Sequence, residues 1–191
     1  MEELAERIRK CKACDLWKNR NKAVPGEGNP NAKVMLIGLG PGKSEDQQGR
    51  PFVGRAGKFL DELLELVGIE RKEVFITNVA KCFLPQNKIT EEQAKICTSL
   101  YLEKQIEIID PKVIITLGDV ATSYIFRKFN LPKSSITKIH GKIFKVFTLK
   151  GEKFIIPMFH PAVALYNPKY KEILKQDWLN IKSFIQKFVL T

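Results

Sequence analysis

Four short, nearly continuous apolar runs most limit what this chain can fold into: residues 33–38 (KVMLIG), 74–78 (VFITN), 112–118 (KVIITLG) and 153–159 (KFIIPMF). A strand covered on one face alternates polar and apolar residues, whereas a strand covered on both reads as a continuous run. Helical patterns lie between and after the runs. Residues 56–67 (AGKFLDELLELV) space their leucines at i, i+3 and i+4, and residues 91–109 do so less cleanly. A third helix follows Gly118-Asp119 over residues 119–129, and a fourth covers residues 171–189. This alternation predicts an α/β class, a three-layer α/β/α sandwich around a central four-stranded parallel sheet. With 191 residues and no internal repeat, the chain is expected to form one domain, residues 1–191.

In open α/β sheets ligands bind beyond the carboxyl ends of the strands. The first run enters Gly38-Leu39-Gly40-Pro41-Gly42, the second ends at Thr77-Asn78, and the fourth enters His160-Pro161. Each has a plain structural reading alone, as a turn, a cap and a turn histidine. Their coincidence at equivalent places predicts a site. The glycine spacing is not G-x-G-x-x-G, and no acidic residue follows on a second strand end to hold a ribose. There is no Walker lysine–serine pair either, so a dinucleotide or nucleoside-triphosphate site is a poor reading.

The four cysteines form the pattern Cys11-x-x-Cys14 … Cys82 … Cys97. Disulfides are disfavoured because the charged start (MEELAERIRK) is not a secretory signal. A zinc ribbon usually brings two C-x-x-C knuckles, and four thiolates with one short and two long spacings also suit a 4Fe–4S cluster. Spacing predicts a metal and leaves zinc and iron–sulfur both open. The 32 Lys and Arg against 21 Asp and Glu leave a net charge of +11. That balance favours a polyanionic partner, most simply nucleic acid, over a merely solvated lysine-rich surface. No apolar run reaches the ~18–20 residues that cross a bilayer, so a cytoplasmic protein without membrane contact is expected.

Beyond the cysteines and strand ends, several longer motifs stand out. They are Val24-Pro25-Gly26-Glu27-Gly28, Glu45-Asp46-x-x-Gly49-Arg50-Pro51-Phe52-Val53-Gly54-x-Ala56-Gly57, Thr77-Asn78-Val79-x-Lys81-Cys82, Pro111-Lys112-Val113-Ile114 and His160-Pro161-Ala162. Together these make the chain resemble, essentially end to end, a family 4 uracil-DNA glycosylase, the iron–sulfur branch of that superfamily. The resemblance implies a 4Fe–4S cluster on Cys11, Cys14, Cys82 and Cys97, of structural character. It implies a monomer that removes uracil from single- and double-stranded DNA, releasing free uracil and leaving an abasic site in base excision repair.

Such a reaction breaks the N1–C1′ bond, so charge builds on the departing base while the sugar becomes oxocarbenium-like. The resemblance places the substrate on Leu39, Gly40, Pro41, Gly42, Phe52, Asn78 and His160. Phe52 would stack on the flipped base, and Asn78 would match uracil O4 and N3–H. His160 and the backbone of the glycine turn, Gly40 included, would stabilise the leaving anion. Leu165 and Tyr166 match the loop that wedges into the minor groove. Lys81, Lys138 and Lys142 are candidate phosphate contacts, and so is His140. A relative uses a loop histidine as nucleophile, but in an inserted basic loop that this chain lacks.

The chain also departs from the family. The motif glutamate is Leu39 here, and Gly40 stands where related families carry a water-activating aspartate. Three readings follow: a dissociative mechanism that tolerates the loss, replacement by Glu45 or Asp46, or a catalytically weak or inactive paralogue that binds uracil-DNA. Asp46 itself reads as a solvated loop carboxylate. The segment Leu84-Pro85-Gln86-Asn87-Lys88 replaces Pro-Pro-Asn-Asn-Arg in a DNA-facing loop.

Overall fold

The computed structural model describes residues 1–189. Helix α1 (Glu2–Arg9) precedes a two-residue strand β1 (Glu27–Gly28), and β2 (Val34–Gly38) leads through α2 (Lys43–Gln48) and α3 (Arg55–Leu66) to β3 (Phe75–Asn78). Helices α4 (Glu91–Cys97) and α5 (Glu103–Ile109) are joined by a π-helical turn, Thr98–Leu102, and lead to β4 (Val113–Leu117) and α6 (Asp119–Lys128). One turn of helix, α7 (Ile136–Ile139), precedes the hairpin of β5 (Phe144–Thr148) and β6 (Gly151–Met158). Helices α8 (Val163–Tyr166) and α9 (Pro168–Val189) follow.

The sheet has six strands in the order β1-β3-β2-β4-β6-β5. The expected four strands form its parallel centre, and β1 and β5 add antiparallel edges to it. The count therefore rises from four to six. The two added strands lack the buried-run signature, because β1 is two residues long and β5 (FKVFT) keeps an exposed face.

The continuous apolar runs are explained by the layers. Leu36, Ile76, Ile115 and Ile156 pack on one side with Leu60, Leu63 and Leu64 of α3 and Trp178, Ile181 and Ile185 of α9. Met35, Ile37, Ile114 and Ile155 pack on the other with Ile106 and Ile109 of α5 and Ala121 and Ile125 of α6. Each fully buried aliphatic contributes about 1.5–3 kcal/mol, so truncating one of the central leucines is a core-breaking change. The π turn falls where Thr98 and Ser99 hydroxyls bond the carbonyls of Ala94, Lys95 and Ile96. Hydroxyls on those carbonyls accompany the widened helical turn.

Register sets up the site. Gly38 pairs with Asn78 across β2 and β3, and the pairing continues past the strand ends through Val79 N–H to Gly38 O (2.9 Å) and Ala80 N–H to Leu39 O (2.8 Å). On the other side Gly118 N–H donates to Met158 O (2.8 Å), which brings the residues after β6 beside the end of β4. Among the described residues no helix is long and apolar enough to cross a membrane.

Candidate active site

A cavity of about 340 Å³ opens beyond the carboxyl ends of β2, β3 and β6. Of the predicted substrate residues, Leu39, Gly40, Gly42, Phe52, Asn78 and His160 line it, and Glu45, Ala56, Asn87 and Ala162 complete the wall. Pro41 is buried outside that lining. A larger groove of about 810 Å³ lies between α4, α6 and the 130–134 loop, and contains none of the predicted site residues. Size does not identify the site; the convergence of polar groups does.

Asn78 is buried, and its Oδ1 has no hydrogen-bond partner. A buried acceptor left unpaired costs about 1–3 kcal/mol, so this atom is set for a donor that enters the cavity. The neighbouring wall is built close around it. A Cβ on Gly38 would lie 2.5 Å from Asn78 Oδ1 and 2.7 Å from the Phe52 ring, so only glycine fits there. Phe52 holds a left-handed backbone, φ 49°, which is costly for a bulky residue. Its carbonyl accepts from Arg71 Nη1 (3.1 Å), Pro51 O accepts from Arg71 Nη2, and Arg71 is anchored on Glu27 and Asp61. A Cβ on Gly57 would collide with Phe52 O at 1.9 Å, so the first turn of α3 needs glycine where it meets the Phe52 backbone.

His160 stacks on Phe52, with ring centroids 5.6 Å apart and planes inclined by 28°. Its Nδ1 accepts from Ala162 N–H at 3.1 Å, which assigns the proton of the neutral ring to Nε2. Burial pushes the imidazole down to about 4, opposed weakly by the charge of Glu45. At neutral pH this residue is therefore an uncharged donor.

The two adjacent carboxylates divide sharply. Glu45 lies in the cavity wall, its Oε1 accepting from Val53 N–H and Gly54 N–H (both 2.9 Å) and its Oε2 from Gly42 N–H (3.1 Å). It clamps the glycine turn to the loop that carries Phe52, and it occupies the Gly42 N–H that was expected to face the leaving anion. Asp46 is buried, not solvated as expected, because its carboxylate accepts from Asn21 N–H (2.9 Å) and Asn21 Nδ2 (2.5 Å). It takes no part in lining the cavity. Leu39 leans on the apolar cluster of Leu16, Ala80, Cys82 and Leu84, so the residue in the glutamate's place joins the cavity to the cysteine corner.

Leu165 and Tyr166 are exposed on α8, Tyr166 at 82%, directly after the cavity residue Ala162. Lys138 and Lys142 are exposed as well. Lys81 is not a phosphate contact. It is 2% exposed, and its Nζ donates inward to Thr77 Oγ1 (2.6 Å), Asn78 O (2.7 Å) and Gln105 Oε1 (2.6 Å). Burial pushes it down to about 7, while three acceptors at these distances match the three N–H groups of an ammonium. His140 is half-buried, with Nδ1 bonded to Asp177 Oδ2 at 2.7 Å and its ring 4.5 Å from that of Phe159. It lies outside the cavity lining.

The four cysteines meet at one corner. Cys14 and Cys82 belong to one apolar cluster, Cys11 and Cys97 to the adjoining one, and their charges influence one another across the two. Among the described residues no group of three or more His, Cys, Asp or Glu side chains is arranged to hold a metal ion. The donor chemistry nevertheless fits an iron–sulfur group. All four candidates are sulfur, Arg20 Nη1 donates to Cys82 Sγ (3.1 Å), and Ala13 N–H donates to Cys11 Sγ (3.4 Å). Burial pushes Cys14 and Cys82 up, and Cys97 up to about 11, so these thiols stay neutral unless a cation takes their protons.

Known proteins are similar to this chain over most of its length. The sequence model of the uracil DNA glycosylase superfamily matches residues 25–182. A type-4 uracil-DNA glycosylase of Sulfurisphaera tokodaii is 48% identical over 95% of this chain and 83% of its own length. That of Saccharolobus solfataricus is 46% identical over 100% and 89%, and that of Thermotoga maritima 43% over 98% and 95%. Identity of this degree over nearly the whole chain means that it belongs to the uracil-DNA glycosylase superfamily, within its type-4 branch.

Proposed function

We propose that this chain hydrolyses the N-glycosidic bond of uracil in DNA, leaving an abasic site and free uracil. The observation that carries the reading is the buried, unpartnered Asn78 Oδ1 in a cavity that a single base can enter. Uracil offers N3–H to that oxygen and O4 to the amide nitrogen. Cytosine offers an acceptor at N3 and a donor at C4, which leaves buried groups unpaired and can lower the rate by orders of magnitude. Phe52 supplies a stacking face, worth about 1–3 kcal/mol and indifferent to base identity.

His160 acts as a neutral donor. Its Nε2–H meets O2 of the base, and that bond strengthens as the bond to C1′ lengthens and charge moves onto the base. With Leu39 and Gly40 in place of carboxylates, departure of the base is dissociative, Glu45 is the acidic residue in the cavity wall, and water then adds to C1′ with its proton passing to the released uracil anion. Tyr166 and Leu165 fill the gap left by the extruded nucleotide, while Lys138, Lys142 and His140 face the phosphates. Cys11, Cys14, Cys82 and Cys97 hold a 4Fe–4S cluster that cross-links α1, α4 and the segment after β3. The protein acts as a cytoplasmic monomer on single- and double-stranded DNA.

The test is release of base from a uracil-containing oligonucleotide, read by alkaline cleavage at abasic sites. The native chain is expected to cleave, and Asn78→Ala to lose about 10²–10³ in single-turnover rate. A near-native rate for Asn78→Ala overturns the assignment of base recognition, and a silent native chain overturns the activity.

A further inference from the structure

Lys81 is the one fully buried lysine whose ammonium meets neutral acceptors alone among the described residues, and its position is unusual. It lies three residues after Asn78 and one before Cys82. Its side chain turns back to the Asn78 carbonyl at 2.7 Å, and its own N–H lies against the Cys97 sulfur. The other two acceptors extend the network. Thr77 Oγ1 donates to Pro25 O (3.1 Å) and Gln105 Nε2 donates to the same oxygen (2.7 Å), while Lys81 O accepts from Val24 N–H (2.7 Å). Burying an ammonium is expensive, so it is held by all three of its neutral acceptors, with the Cys97 sulfur nearby.

What this one fixes is the peptide that aims the base-reading amide. Asn78 is the last residue of β3, and directly beyond it the chain leaves the ladder after the Val79 and Ala80 N–H bonds to Gly38 O and Leu39 O. Its side chain must hold an unpaired oxygen toward the cavity against a wall with no slack, since even a Cβ at Gly38 would collide with it. A shift of the backbone at Asn78 would move its Cα and carry that oxygen off its line into the cavity. The ammonium of Lys81 grips the carbonyl of that same residue.

We propose that Lys81 is a positioning residue for base recognition, holding the Asn78 peptide so that its amide faces the cavity and tying that aim to the cysteine segment. The inference rests on the reading of the cavity as a uracil site. It concerns affinity for the base, not contact with DNA, and so it separates from a general loss of stability.

The experiment compares native protein with Lys81→Met, and with Gln105→Leu, which removes one acceptor from α5 without touching the cavity or the cysteines. Three quantities are read beside the melting temperature and the visible absorbance of the purified protein: single-turnover excision, inhibition by free uracil, and affinity for abasic-site DNA. Lys81→Met is expected to lower excision by about 10²-fold and weaken uracil inhibition about tenfold, with abasic-DNA affinity changed less than about threefold. Gln105→Leu is expected to shift the first two in the same direction by about threefold to tenfold, and it decides the matter should Lys81→Met not fold. Unchanged uracil inhibition in a folded variant overturns the proposal. Uracil and abasic-DNA affinity falling together also overturns it, since that marks a merely structural lysine. A native chain that leaves uracil-DNA intact fails the functional reading itself and takes this inference with it.

Discussion

The His140 ring packs on Phe159, the residue before His160, yet the two histidines of this chain have different surroundings. His160 is buried in the cavity, gives Nδ1 to a backbone N–H and is pushed down to about 4. His140 is half-buried outside it and gives Nδ1 to the Asp177 carboxylate at 2.7 Å. The first is held as a neutral ring in the cavity wall; the second is paired with a carboxylate and packs on Phe159. Neither assignment follows from the side chain. Each follows from what the other ring nitrogen is given.

The comparison breaks most visibly under truncation. His160→Ala is expected to reduce single-turnover excision by about 10²–10³, as for loss of one preorganised donor to a developing anion. His140→Ala is expected to change it less than about tenfold while weakening DNA binding slightly and shallowing its salt dependence. Equal losses in the two variants, measured on the same oligonucleotide, would mean that His140 reaches the reacting atoms and that the division is wrong.

Acid sharpens the same contrast. Protonating His160 puts a second hydrogen on Nδ1, facing the Ala162 N–H, so the folded state resists it. The imidazole has its ordinary value near 6.5 in the unfolded chain and about 4 in the folded one. Between these values the unfolded chain binds the extra proton, so stability is full above 6.5 and falls as pH drops toward 4. The loss from this group is about 3 kcal/mol across that window. Excision is expected to hold from pH 8 to about 5 and to fail only below, whereas an ordinary histidine would give a limb near 6.5. A limb at 6.5 that disappears in His160→Gln contradicts the neutral, buried imidazole.

What was legible in the sequence divides along similar physical lines. The central strands declared themselves because burial on both faces leaves no polar positions, and the glycine turn, Asn78 and His160 followed from where those strands end. Helix bounds agree to within three residues for α3, α6 and α9. Strands β1 and β5 carried no such signal, one through its length and the other through its exposed face. Asp46 and Lys81 were misplaced for a different reason: their burial is set by Asn21, 25 residues away, and by Gln105, 24 residues away. A charged side chain reads as solvated unless its partner is near in sequence. The one available hint for Lys81 was its place inside the apolar stretch Val79-Ala80-Lys81-Cys82.

Leu39 tests whether the cavity tolerates the carboxylate its relatives' motif would supply. The side chain lies against Leu16, Ala80, Cys82 and Leu84, so Leu39→Glu sets a charge on an apolar surface. The variant is expected to lose about 1–3 kcal/mol of stability in thermal unfolding and to change excision by less than about tenfold. A gain beyond a hundredfold would instead show that the native cavity lacks a group its chemistry needs.

The smallest expected effect comes from Asp177, the partner of His140. Its carboxyl is raised by burial and drawn back by His140, so the pair balances desolvation against one charge-assisted bond. Asp177→Asn removes the charge and keeps a hydrogen-bond partner for Nδ1, so unfolding free energy should move by no more than about 1 kcal/mol. The path from this pair to the site is short, since the His140 ring lies 4.5 Å from that of Phe159, the residue before His160. Excision by Asp177→Asn within about threefold of native would show that Phe159 does not transmit the state of one histidine to the other. A loss approaching that of His160→Ala, in a variant of native stability, would make the two corners one machine and end the separation drawn between them.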